Sequence, residues 1–181
     1  MKTHFWPALK LTAFSILFFS VVYPAIVWAV AQLSPTGGNV EWVKKGDQVV
    51  GAKLLGQSFT DERFFLGRPS AVGYNAAGSA GSNKGPSNPD YLKEVQARID
   101  TFLVHNPGVK RSDVPADLVT ASGSGLDPDI SPEAALVQVP RIARLRGVSP
   151  EKLQKLVEAH TSRSAIGGVA TVNVLELNLA L

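Results

Sequence analysis

The sequence predicts a single N-terminal transmembrane helix followed by one mixed α/β (α+β) extracytoplasmic domain. Three observations predict it. An uncharged apolar run follows two lysines near the start. Short β-type runs punctuated by glycine lie at 40–55, and an alternating run closes the chain. Between them, three segments with helical spacing each open on a capping residue followed by proline. Strands, then helices, then a last strand make a mixed layer fold. The 181 residues divide into an N-terminal segment 1–10, a span 11–33 and a domain 34–181 large enough to bury its own core.

The span is read from what it lacks. No charged residue stands between Lys10 and Glu41. Leu11 to Leu33 would rise about 35 Å as a helix, against a hydrocarbon core of about 30 Å. Phe5, Trp6, Tyr23 and Trp28 supply aromatic anchors, and Pro24 is tolerated in lipid where it would be costly in water. Lys2 and Lys10 precede the span without an acid among them, so the positive-inside rule puts the N-terminus in the cytoplasm and everything after Leu33 on the outer face. Ala29-Val30-Ala31 has the small-x-small form of a signal-peptide cleavage site. The apolar run before it is longer than a signal peptide uses, which favours a retained anchor. The span carries no ionisable residue, so the helix itself is not read as an ion pathway.

Composition narrows the function classes. The formal net charge is +3, and Lys2 and Lys10 supply two of those charges, so the pI of 9.3 is no argument for nucleic acid. Cysteine is absent, which excludes disulfides, thiolate nucleophiles and Cys-ligated zinc.

Along the domain, Val49-Val50 and Leu54-Leu55 between Gly46, Gly51 and Gly56 predict a pair of short strands. A long loop rich in glycine, serine, asparagine and proline runs from Gly67 to Pro89, a length that is usually functional or disordered. Asn88-Pro89 then opens a helix with Leu92, Val95, Ile99 and Phe102 on one face, stopped by Asn106-Pro107-Gly108. Ser131-Pro132-Glu133 opens another, with a kink expected at Pro140, and Ser149-Pro150-Glu151 a third, reaching about His160. Val172 to Leu181 alternates apolar and polar with one break at Val174-Leu175, and is expected to be a strand, bulged at the break.

Several stretches resemble chemistry and fail on detail. Gly78 to Gly85 contains Lys84, but Asn83 precedes the lysine and Gly85 follows where a phosphate loop needs Ser or Thr. Ala71-Val72-Gly73-Tyr74-Asn75 has the middle of a potassium filter without the flanking membrane helices. Asp127 to Ser131 begins like a calcium loop, but Pro132 stands at the glycine position and Gln138 at the bidentate glutamate position. Ser122 and Ser124 lack the flanking glycines of a nucleophile elbow. His105 and His160 each end a helix, where the dipole favours imidazolium. Arg141, Arg144, Arg146, Lys152 and Lys155 form a basic cluster, read first as a solvated face and second as a surface for an acidic partner or lipid headgroups.

Four stretches together carry a resemblance: Phe65-Leu66-Gly67-Arg68-Pro69-Ser70, Ser82 to Pro89, Asp117 to Pro128, and Val172 to Leu179. In this order the chain resembles the C subunit of the Kdp high-affinity potassium-transporting ATPase, from anchor to last residue. Asp129 stands where that pattern has His, and Val169-Ala170 where it has Glu-Pro. The resemblance implies a non-catalytic accessory subunit in the bacterial cell membrane. Its implied partners are a channel-like potassium-translocating subunit, a P-type ATPase subunit and a small single-span subunit. The family is described as a catalytic chaperone that raises the ATP affinity of the ATPase subunit. No cofactor is expected on this chain, since ATP and potassium are handled by the complex, and an outward domain conflicts with direct ATP contact. The residues expected to meet a partner are Arg68, Ser70, Asn83 and Gly85 in the long loop, Ser122, Gly123, Ser124, Gly125 and Asp127 in the second loop, and Gln138. The alternative is a free-standing tethered binding protein or hydrolase that uses the Ser122–Asp127 loop.

Overall fold

A computed structural model describes residues 2–163 and 167–181 and divides into two units, one ending at Glu41 and one starting at Trp42. The first unit is a continuous helix, apolar and long enough to cross a membrane over Thr3–Ala31. It comprises α1 (Lys2–Leu17) and α2 (Tyr23–Ala31), joined by a π-helical turn at Phe18–Val22. Pro24 explains the join. Its ring crowds the carbonyl one turn back, and the wider π turn, in which Tyr23 N donates to Phe18 O, relieves the clash without breaking the helix. Phe14, Phe19, Ile26 and Trp28 are all more than half exposed, an apolar surface that needs lipid or protein cover. The helix already begins at Lys2, so residues 2–10 belong to it. Residues 32–39 form successive tight turns.

The second unit begins with an antiparallel hairpin, β1 (Trp42–Lys45) and β2 (Gln48–Ala52). Val49 and Val50 lie on β2 as the sequence predicts, but Leu54 and Leu55 fall in the turn and bend after it, and the partner strand is the segment before Gly46. The chain then runs without regular strand or helix, apart from one short 3-10 turn, to α3 (Pro89–His105). Asn88 caps α3 by accepting from Asp90 N and Tyr91 N. Next come β3 (Asp129–Ile130), α4 (Pro132–Leu136), α5 (Val139–Arg146), α6 (Pro150–Ala159), β4 (Thr161–Ser162), β5 (Thr171–Asn173) and α7 (Val174–Leu179). Ser131 and Ser149 cap α4 and α6 as the sequence requires. The expected kink at Pro140 is a break: α4 stops at Leu136, and Pro140 lies in the first turn of α5, where its missing N–H costs nothing. Strand β5 lies between β3 and β4, antiparallel to both.

The closing segment corrects the sequence reading. Only Thr171–Asn173 is strand, and residues Val174–Leu179 turn into α7. Asn173 accepts a hydrogen bond from Glu176 N at 3.0 Å, an N-cap that ends the strand. Val174, Leu175, Leu177 and Asn178 are then buried together, which is helical spacing. What looked like a bulge at Val174-Leu175 is the change of period from strand to helix.

The core gathers Phe65, Ile130, Ala134, Val139, Ile142, Val157, Val172 and Leu177, each at most 2% exposed. Arg141 corrects the reading of the basic cluster as a solvated face, because it is buried at 3% exposure. Its guanidinium is spent on acceptors: Asn106 Oδ1 at 2.9 Å, Gln138 Oε1 at 2.8 Å, Phe64 O at 3.2 Å and Glu62 O. Burial pushes its pKa down from the usual arginine value, and that dense set of acceptors is what makes a buried cation tolerable. Arg144, Lys152 and Lys155 are exposed.

Candidate functional site

The segment before the long loop is clamped along its backbone by side chains. Gln138, wholly buried, accepts from Leu66 N at 2.8 Å and donates to Leu66 O at 3.2 Å. Asn178 does the same for the neighbouring residue, accepting from Phe65 N at 2.8 Å and donating to Phe65 O at 2.9 Å. Two amides thus do for residues 65 and 66 what a neighbouring strand would do, and no buried backbone group there is left unpaired. Gln138 also donates to Ala134 O and accepts from Arg141, so its amide is fully committed inside the fold. Its place is beneath the candidate surface.

From this fixed point the chain enters residues 67–89, and there it meets the second loop. Arg68 Nη1 donates to Asp127 Oδ2 at 3.0 Å, with both side chains less than a third exposed. Ser70 Oγ donates to Gly125 O at 2.6 Å and accepts from Tyr74 N at 2.9 Å and Val72 N at 3.2 Å, so one hydroxyl ties three backbone groups. Tyr74 Oη donates to Arg68 O, and burial together with the Asp127 charge pushes its pKa up. Ser79 Oγ donates to Ser124 O at 2.9 Å, and Ser122 N donates to Pro69 O at 3.1 Å.

Two glycines make the contact close. Gly125 has φ +68°, and a Cβ there would fall 2.6 Å from Val72 Cγ2 and 2.9 Å from Ala80 O. A Cβ on Gly81 would meet Gly123 O at 2.9 Å. Small residues are therefore demanded by the backbone-to-backbone packing of the two loops.

The expected site residues sort by exposure. Asn83, Gly85, Gly123 and Ser124 are exposed, Arg68, Ser70 and Asp127 are partly buried, and Ser122, Gly125 and Gln138 are buried. The two loops are thus one surface, with a braced layer of Arg68, Ser70, Gly125 and Asp127 carrying an exposed rim. Asn83 adopts φ 53°, a conformation that asparagine tolerates better than other non-glycine residues. Lys84 is drawn to Glu94 of α3, whose carboxyl pKa it lowers, so the lysine does not face an empty glycine cradle. Sequence reasoning did not find the clamping role of Asn178, although its spacing from Leu175 and Val174 marks one helix face. Nor did it find Tyr74 as a brace.

Ser124 Oγ accepts from Leu126 N at 3.1 Å, and neither described histidine of the domain is hydrogen-bonded to either loop serine. His105 Nδ1 lies 2.6 Å from Glu62, and His160 Nδ1 lies 2.9 Å from Leu156 O.

Comparison with known proteins covers nearly the whole chain. Residues 5–181 match the family described as K+-transporting ATPase, c chain. The potassium-transporting ATPase KdpC subunit of Flavobacterium psychrophilum is 54% identical over 173 residues, covering 96% of this chain and 94% of the relative. That of Bacteroides fragilis is 51% identical over 179 residues, with the same coverage of each chain. That of Caldanaerobacter subterraneus is 46% identical over 176 residues, covering 96% of this chain and 91% of the relative. A single apolar helix and a braced two-loop surface are therefore features of a chain that belongs to the KdpC family, the c chain of the K+-transporting ATPase.

Proposed function

We propose that this accessory subunit is a non-catalytic, outward-facing brace: α1 and α2 anchor it, and the joined loops 67–89 and 122–127 dock on the outer face of the potassium-translocating subunit. The P-type ATPase subunit and a small single-span subunit complete the assembly. The observation that carries the proposal is the construction of the loop surface. Its inner layer is held by the Arg68–Asp127 pair and by Ser70, while its rim of Asn83, Gly85, Gly123 and Ser124 is exposed. Rigid loops with small exposed residues let another backbone approach closely at little ordering cost.

The effect on ATP affinity that the family resemblance implies is assigned to contacts between subunits. The lysine of the glycine-rich loop is paired with Glu94, and Gln138 is saturated by Leu66, Ala134 and Arg141, so neither is presented to a nucleotide. The hydrolase reading is disfavoured, because His105 and His160 are committed to Glu62 and Leu156 and the loop serines serve the backbone.

Orientation is tested by adding protease to intact spheroplasts. The proposal expects the domain after Leu33 to be removed and the span to remain. A domain protected from external protease overturns the outward placement.

A further inference from the structure

The β1–β2 hairpin is the first part of the domain after the helix, and one of its faces is uncovered. The register shift takes up Val50 on β2, so β1 keeps its alternation. Trp42 and Lys44 therefore share a face with their cross-strand partners Ala52 and Val49. The opposite face meets the domain: a Cβ on Gly51, the partner of Val43, would lie 2.8 Å from Leu175 Cδ2. On the free side Trp42 is 59% exposed and Val49 48%, and Leu54, just beyond β2, is 75% exposed. Ala52 alone is buried there, where the strand rejoins the domain.

A tryptophan, aliphatic side chains and a lysine on one face are what membrane–water interfaces collect. Connectivity supplies the second argument. Helix α2 ends at Ala31 and β1 starts at Trp42, so residues 32–41 are the whole tether. Fully extended, it reaches about 35 Å, roughly one bilayer thickness. It is not extended: Gly37 N donates to Ser34 O, Asn39 N to Thr36 O and Gly38 N to Ser34 Oγ, and these turns shorten the reach. Lys44 supplies the cation on the free face, while Lys53 is paired with Glu176 at 3.3 Å.

We infer that the outer face of the hairpin rests on the bilayer surface, with Trp42 at headgroup level, Val49 and Leu54 at the shallow acyl boundary and Lys44 on anionic phosphates. The domain then has two attachments to the membrane, and the second limits how it tilts about the first. The inference rests on α1 and α2 being a membrane anchor, and its test separates the two.

The chain has three tryptophans, so each site can be isolated in the full-length protein reconstituted in vesicles containing phosphatidylglycerol. Trp6→Phe with Trp42→Phe leaves Trp28, whose quenching by bromine-labelled acyl chains reports insertion of the anchor. Trp6→Phe with Trp28→Phe leaves Trp42. Expected are a blue-shifted Trp42 emission, quenching strongest with bromines near the headgroups, and weaker quenching after Lys44→Glu. A bimane placed by Val49→Cys, in a chain that otherwise lacks cysteine, should show the same shallow quenching. If Trp28 is quenched while Trp42 and the Val49 probe emit as in water, the anchor stands and the hairpin inference falls. If Trp28 is not quenched either, the anchor reading falls with it.

Discussion

Arg68 and Asp127, fifty-nine positions apart in the chain, meet through a 3.0 Å ion pair that joins the two loops into one surface. Arg68 Nε is buried and has no acceptor among the described residues, so this pair is the main satisfaction of the guanidinium. Asp127 also accepts from Asp129 N at 3.1 Å and so holds the turn that follows. The pair is thus a hinge pin for the proposed docking surface and a modest element of stability in its own right.

Replacing either partner should therefore lower the melting temperature of the full chain, with Asp127→Ala costing more than Arg68→Ala. For a partly exposed pair we expect about 1 kcal/mol for Arg68→Ala. The double variant should cost less than the two singles added, because the second substitution removes a group already left alone. Additive losses in thermal melts would show that the pair contributes nothing as a pair.

Gln138→Ala should be far more damaging. It leaves Leu66 N, Leu66 O and Arg141 without their buried partner, at about 1–3 kcal/mol for each unsatisfied group. A loss of about 3 kcal/mol or more corresponds to a fall of roughly 6–12 °C in a domain of this size. A fall below about 2 °C would contradict the clamp.

Asp129 supplies a pH test. Burial, and then the neighbouring Asp127 charge, push its pKa above the ordinary aspartate value. A raised folded-state pKa means that the fold favours the protonated form. The contribution to stability is full below the ordinary carboxylate range and is lost as pH rises through the raised value. At pH 7 the ionised side chain is a cost. Asp129→Asn should then raise the melting temperature at pH 7, and the gain should vanish in acid. Equal melting temperatures at pH 7 would refute the shift.

Titration calorimetry of the full chain in detergent should show no tight ATP site. The only lysine in the glycine-rich loop is held by Glu94, and the loop lacks the hydroxyl residue that follows a phosphate-binding lysine. Micromolar binding would contradict the assignment of nucleotide effects to subunit contacts.

Local signals were readable where the chemistry is local. Asn88, Ser131 and Ser149 cap the helices they announce, because a cap is decided within three residues. Asn173 and Glu176 formed the same kind of signal, but the short alternation around them imitated a strand and hid α7. Gln138, Asn178 and Arg141 act on backbone groups 72, 113 and up to 79 residues away, distances over which a single sequence carries no register. Arg141 reads as one more surface base until Asn106, Gln138 and the backbone of residues 62–64 surround it. The two loops were legible as candidate surfaces from their composition. Their union was not, since it depends on glycines 81 and 125 having no side chain at the contact.

The docking claim is tested most directly by bulk placed on the rim without disturbing the braces beneath it. Gly85 and Gly123 are exposed, have no positive φ, and offer open space where a Cβ would go. Gly85→Trp and Gly123→Trp should thus leave the melting temperature of the full chain within about 0.5 kcal/mol of the parent. Copurification of each variant with the other subunits in detergent is the deciding measurement, with Glu158→Trp on the exposed side of α6 as the control. Both glycine variants should lose the potassium-translocating subunit while the control retains it. Parent-level recovery of that subunit with both variants, still folded, would contradict the docking claim.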